Sequence, residues 1–145
     1  MMNGIQDIEK QLKKLNIAIN EDQKLKIEKY VDLLFKWNKA YNLVGKTTLD
    51  SVYSRHVLDS IQLMNFIKED VKKQGNILDF GAGAGMPSVL LAIMLPGAKI
   101  TACERVGKKC QFLNQVRREL ALTNFKVDNG DVKDLDGSFD LITCR

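Results

Sequence analysis

The chain has 145 residues, 45% hydrophobic and 28% charged, with a net charge of +4. That length suits one globular domain with a small extension and is enough to bury a core, and no apolar run reaches the roughly 18 residues that a membrane helix needs. The N-terminus has no apolar core behind a basic start, which argues against an export signal.

Residues 1–75 hold 13 Lys and Arg against 10 Asp and Glu, so the basic excess lies mostly in the first half. A mild excess permits RNA or DNA binding, and solvated helix faces produce it equally well. The three cysteines, Cys103, Cys110 and Cys144, form no CxxC pair, and the single histidine, His56, is distant from them. This pattern predicts neither a metal site nor a disulfide framework, and it points to a reducing, cytoplasmic setting.

The first 75 residues read as helices. Ile5, Ile8, Leu12 and Leu15 recur at helical spacing. Asn20 followed by Gln23 resembles a capping box that opens a second helix. That helix carries Leu25, Ile27, Val31, Leu34 and Phe35, and should end near Trp37–Tyr41. Thr47 and Thr48 can cap a third helix bearing Val52, Leu58, Ile61, Met64 and Ile67.

After Gly75 the pattern changes. Ile77–Phe80 is a short apolar run, and residues 89–95 are helical until Pro96-Gly97 stops them. Ile100–Cys103 is strand-like, a basic helix follows from about Gly107 to Leu120, and Phe125–Val127 and Phe139–Cys144 are two further strands. This alternation predicts βαβ units and a parallel sheet with right-handed crossovers. The expected class is α/β: a helical region over 1–75, then a Rossmann-type sheet over 76–145.

The central motif runs from Asp79 to Pro87, with glycines at 81, 83 and 85, between a strand and a helix. Dinucleotide loops usually read GxGxxG, whereas this one reads GxGxG. Asp79 at the strand end would repel a pyrophosphate and would suit a cationic ammonium group. Spacing and charge therefore favour S-adenosylmethionine (SAM) over a nicotinamide dinucleotide. Glu104 ends the next strand, where an acid can accept hydrogen bonds from ribose hydroxyls. Asp131 follows the third strand at Gly130-Asp131-Val132, a place where an acid or amide can meet the adenine amino group. Taken singly, Glu104 is a solvated strand-end charge and Asp131 a turn residue. Their order along the alternating elements makes the set specific.

Residues 34–43 (LFKWNKAYNL), Arg55-His56-Val57-Leu58-Asp59-Ser60, the DxGxGxGxP loop and the segment Glu104…Lys108-Lys109…Phe112-Leu113 resemble the RsmG family, also called glucose-inhibited division protein B. The closing Leu141-Ile142-Thr143-Cys144-Arg145 is similar to that family's fourth strand. The resemblance runs from about residue 20 onward. It implies a Rossmann-type, SAM-dependent methyltransferase that acts on N7 of a guanine in 16S rRNA of the small ribosomal subunit. Carried over by position, it places SAM contacts on Gly81, Met86, Val132, Lys133 and Arg145, with Glu104 on the ribose.

Three residues depart from the family pattern: Ser88 where many relatives have glycine, Arg105 in place of the usual serine, and Lys133 in place of glutamate. Family members also continue past the fourth strand. A chain ending there would leave a bare sheet edge, open to self-association, and could bind SAM or RNA without turnover.

Guanine N7 has a lone pair and no proton to lose, so no general base is required and no catalytic residue is assigned. Arg55, His56 and Arg145 are the substrate-side candidates, with Asp59 and Ser60 nearby in sequence. On a regular helix His56 and Arg55 could share a face with Asp59. That cluster could meet RNA, form a surface ion pair, or hold the helix onto the sheet. Lys36, Lys39, Lys46, Arg117 and Arg118 could neutralise phosphates. Trp37 and Tyr41 could stack on bases, although core packing suits Trp37 better.

Overall fold

The computed structural model describes residues 4–131, 133, 135 and 137–144. Helix α1 (Ile5–Lys14) buries Ile5, Ile8 and Leu12, the expected stripe. Helix α2 (Glu21–Tyr41) opens on the capping box: Gln23 N–H donates to Asn20 Oδ1 at 2.8 Å, and Asn20 N–H donates to Gln23 Oε1 at 2.9 Å. Its buried stripe is Ile27, Tyr30, Val31 and Leu34. Leu25 and Phe35, expected on that stripe, are 64% and 42% exposed, because they lie one position or more off the i, i+3, i+4, i+7 face. Asn42 ends the helix in the left-handed region at φ 47°, a conformation that asparagine tolerates well.

The third predicted helix is broken into pieces. Helix α3 (Lys46–Asp50) is capped by Gly45, with no side-chain capping bond from Thr47 or Thr48. A π-helical turn (Val52–Val57), helix α4 (Leu58–Gln62) and a 3-10 turn (Leu63–Phe66) follow. Serines mark the irregularity. Ser51 Oγ donates to the Thr47 carbonyl at 2.9 Å and Ser60 Oγ to the His56 carbonyl at 2.7 Å. Such hydroxyl bonds back onto the helix loosen and bend it. Helix α5 (Glu69–Gln74), absent from the sequence expectation, leads into the sheet.

Strands β1 (Asn76–Phe80), β2 (Lys99–Cys103), β3 (Phe125–Asp128) and β4 (Leu141–Cys144) form one parallel sheet in the order β3-β2-β1-β4. The last strand begins at Leu141 rather than Phe139. Helix α6 (Ser88–Met94) is buried at every position, and helix α7 (Gly107–Glu119) buries Cys110, Phe112, Leu113 and Val116. The hydrophobic core is continuous from Ile5, Ile8 and Leu12 through Tyr30 and Leu34 to Leu91, Phe112 and Phe125, so the N-terminal helices and the sheet share it. Asn124 closes the end of α6: its Nδ2 lies 3.1, 2.9 and 3.0 Å from the carbonyls of Ala92, Leu95 and Ala98. No helix among the described residues is long and apolar enough to cross a membrane.

Candidate functional site

In a parallel sheet, ligands meet the carboxyl ends of the strands, and here β1 and β2 end side by side, with Phe80 paired to Cys103. The chain leaves β1 through Gly81, whose N–H, like that of Ala82, donates to the Cys103 carbonyl at 2.9 and 3.0 Å. This ties the glycine turn to the end of β2. Gly81 has φ +69°, and a Cβ added there would meet nothing within 4 Å. It borders two cavities: a larger one of about 480 Å³ on the β2–β3 side and a smaller one of about 220 Å³ under the N-terminal helices.

The larger cavity is lined by Phe80, Gly81, Cys103, Glu104, Arg105, Val106 and Gly130. Glu104 is its fixed acid. One carboxylate oxygen accepts the Gly83 N–H at 2.8 Å and the other the Val106 N–H at 2.7 Å. These bonds hold the side chain, 7% exposed, against the cavity wall. An ionised carboxylate has about four acceptor positions, so roughly two remain for a ligand. Burial pushes the Cys103 thiol up, and the negative charges of Asp128, Asp131 and Glu104 push it further in the same direction. The cavity is therefore electronegative. It suits hydroxyl donors and positive charge and opposes a pyrophosphate.

The smaller cavity is lined by Leu43, Val44, Thr48, His56, the Gly81–Ala84 backbone, Met86 and Lys109. His56 stands on the π-helical turn, a local widening that recurs at functional sites. Arg55 is exposed and borders neither cavity. Asp59 and Ser60 line a third hollow, with Leu63, Pro87, Ile142, Thr143 and Cys144. His56 and Asp59 therefore face different cavities, because the π turn between them breaks the regular helical phase that would have stacked them.

Asp79, 1% exposed, accepts the Ser88 N–H at 3.2 Å and the Thr143 hydroxyl at 3.0 Å. It borders neither the larger nor the smaller cavity and links the start of α6 to β4. Gly85 has φ +95°, and a Cβ there would lie 2.5 Å from Val89 Cγ2 and 2.9 Å from Leu113 Cδ2, so this glycine serves the packing of α6 and α7 on the sheet. Gly83 has φ +57° and offers its N–H to Glu104. Asp131 and Lys133 lie just beyond Gly130, with the Lys133 N–H on Asp131 Oδ1 at 3.3 Å and their charged ends 4.0 Å apart. Val132 and Arg145 lie outside the described residues.

Trp37 packs in part against the core, its ring centroid 5.6 Å from Phe112 and 5.5 Å from Tyr41. Lys108 sits 4.5 Å over the Tyr41 ring, so the end of α2 meets the start of α7. Sequence reasoning passes over Tyr30, Thr48, Lys109 and Thr143. Tyr30 carried a usable signal, since Ile27, Tyr30, Val31 and Leu34 are spaced i, i+3, i+4, i+7. The other three become neighbours of the turn only through tertiary packing.

Residues 23–145 match the family model described as GidB, rRNA small subunit methyltransferase G. The chain belongs to the GidB family. Among GidB relatives, the ribosomal RNA small subunit methyltransferase G of Pseudomonas putida is 42% identical over 121 residues, covering 83% of this chain and 55% of that protein. The protein of the same name from Stutzerimonas stutzeri is 43% identical over 133 residues, covering 90% of this chain and 60% of that one. The chain thus spans between half and two thirds of the length of these curated relatives.

Solved structures share the fold. The YcgJ protein from Bacillus subtilis matches at TM-score 0.50 and 26% identity over 60% of this chain and 37% of that one. Precorrin-6y C5,15-methyltransferase from Geobacter metallireducens matches at TM-score 0.50 and 18% identity over 72% of this chain and 51% of that one. Their likeness extends the Rossmann-type methyltransferase fold to this four-stranded sheet with helices ahead of it.

Proposed function

We propose that this chain carries the SAM-binding part of an enzyme that methylates N7 of a guanine in 16S rRNA of the small ribosomal subunit. One observation carries the reading. Glu104 is held by two backbone amides, 2.8 and 2.7 Å away, at the wall of an electronegative cavity of about 480 Å³ that opens onto Gly81. When bound, SAM supplies an electrophilic methyl group on a sulfonium.

The residues present fit that group. Glu104 would take the ribose hydroxyls. Gly81, with open space where a side chain would stand, would let the ligand lie on the backbone. The smaller cavity, with Met86 on its wall, would take the amino-acid part. His56 and Lys109 face that same cavity, where they can hold an anionic group. The charges of Asp128 and Asp131 favour a cationic ligand over a dinucleotide. Asp79 keeps the turn attached to β4 instead of contacting the ligand. Because N7 needs no deprotonation, the protein's task at the base is placement, an effect that can reach several kcal/mol.

The RNA partner, free 16S rRNA or the assembled small subunit, would lie over the mouth of the turn. Lys36, Lys39 and Lys46 are exposed near the end of α2, and Lys108 with the 45%-exposed Tyr41 continues that surface. Arg117 and Arg118 sit about 14 Å further along α7 and would contribute less. This activity places the protein in the cytoplasm.

The test is to incubate the chain with methyl-labelled SAM and small subunits lacking the modification, then with naked rRNA. Nuclease digestion should yield labelled 7-methylguanosine. Label on another base, or none where a full-length relative transfers it, counts against the reading. A second reading, SAM binding without turnover, is favoured by the 60% exposure of Ile142 on β4 beside an open hollow of about 430 Å³. Calorimetric SAM binding with no transfer would select it. Self-association along β4 would appear as a concentration-dependent mass in light scattering.

A further inference from the structure

Helix α2 lies outside the sheet, yet one of its atoms reaches the middle of the glycine turn. The Tyr30 hydroxyl donates to the Ala84 carbonyl at 2.6 Å, across 54 residues of sequence, and the whole side chain is buried. Its ring packs on Phe112 of α7, centroid to centroid 6.2 Å. The Ala84 carbonyl shares a rigid peptide plane with the Gly85 N–H, which closes the turn onto the Ala82 carbonyl at 2.9 Å. On the preceding side, the Gly83 N–H is held by Glu104. Residues 82–85 are therefore gripped from both sides, by an acid of the β2 end and by a phenol of the N-terminal helices. Ala82, Gly83 and Ala84 line the smaller cavity.

We infer that Tyr30 is a positioning residue for the cofactor turn: its hydroxyl holds the Ala84–Gly85 peptide in the orientation that receives the amino-acid part of SAM. The inference rests on the SAM reading above. It gives α2 a share in cofactor affinity without any contact to the cofactor. It also separates the two ligand halves, because the nucleoside side of the site rests on Glu104 and the β2 end, which Tyr30 does not touch.

The experiment compares Tyr30→Phe with the native chain by calorimetry, using S-adenosylhomocysteine and 5′-methylthioadenosine, which lacks the amino-acid part. Tyr30→Phe keeps the ring and its packing on Phe112. The dissociation constant for S-adenosylhomocysteine should rise about five- to tenfold, the scale of one lost hydrogen bond, while that for methylthioadenosine stays within about twofold. Equal weakening of both ligands, or of neither, overturns the role of Tyr30. A native chain that binds neither ligand overturns the SAM reading itself. Should Tyr30→Phe fail to fold, hydrogen exchange on the native chain decides. Saturating S-adenosylhomocysteine should slow exchange in residues 27–34 of α2 together with 82–86, and protection confined to the sheet half would sink the idea.

Discussion

At one end of the glycine turn a methyl group added to Gly81 would stand in open space; at the other, one added to Gly85 would press on Val89 and Leu113. Both glycines adopt positive φ, +69° and +95°, so the backbone alone does not separate them. Their surroundings do. Gly81 is exposed at the junction of two cavities, while Gly85 is buried under helices α6 and α7. The two carboxylates follow the same division: Glu104 faces the cavity, and Asp79 lies inside, bonded to Ser88 and Thr143. A motif written as one string thus contains an outer half shaped for a ligand and an inner half shaped for packing.

The contrast breaks most readily at Gly85. Gly85→Ala combines a disfavoured backbone with a methyl forced into a filled core, and should cost about 3 kcal/mol of stability, read by urea denaturation. Gly81→Ala should cost only about 1–2 kcal/mol, the left-handed backbone penalty, while sharply weakening S-adenosylhomocysteine binding. Equal stability losses at the two sites would erase the distinction.

Glu104→Gln sharpens the outer half. It removes a charge-assisted acceptor and places an amide nitrogen against a backbone N–H, so affinity should fall about 10- to 100-fold in calorimetry. Asp79→Asn should act chiefly on the melting temperature.

The smallest effect concerns thiols. Burial, reinforced by nearby carboxylates, holds the Cys103 and Cys110 thiols protonated at neutral pH, whereas Cys144 is exposed. Maleimide should label Cys144 first, and Cys103 and Cys110 at least about tenfold more slowly. Bound S-adenosylhomocysteine should slow Cys103 further, since that thiol borders the ligand cavity. Fast labelling of Cys103 in the native fold would argue against the electronegative cavity.

Local rules carried far where the chain obeys them alone. The capping box at Asn20 and Gln23, the stripe Ile5, Ile8, Leu12, and the strand–turn–helix order around 76–107 are all readable, because propensity, pattern and turn chemistry agree there. The division within the glycine turn was not readable, since it depends on what Leu113 and Val89 place beside Gly85. Tyr30 was obscured by being counted neither as apolar nor as a site residue, although its spacing marks it as buried. The segment 46–66 defeated periodicity because three serine hydroxyls bond to its carbonyls, and one donor there skips a residue: the His56 N–H points to the Ser51 carbonyl at 3.4 Å, five positions back.

That widened turn between Val52 and Val57 has a consequence for how the chain tolerates length changes. Each residue of an α-helix advances the azimuth by about 100°, so a widened turn acts as a one-residue spacer in the rotation of everything after it. Excising Ser54 would let the segment relax into a uniform coil of nearly the same extent, yet it would swing the imidazole of His56 away from Lys109 and the backbone at 81–84. A deletion too small to disturb the sheet would thereby reorient one wall of the hollow beneath the helices.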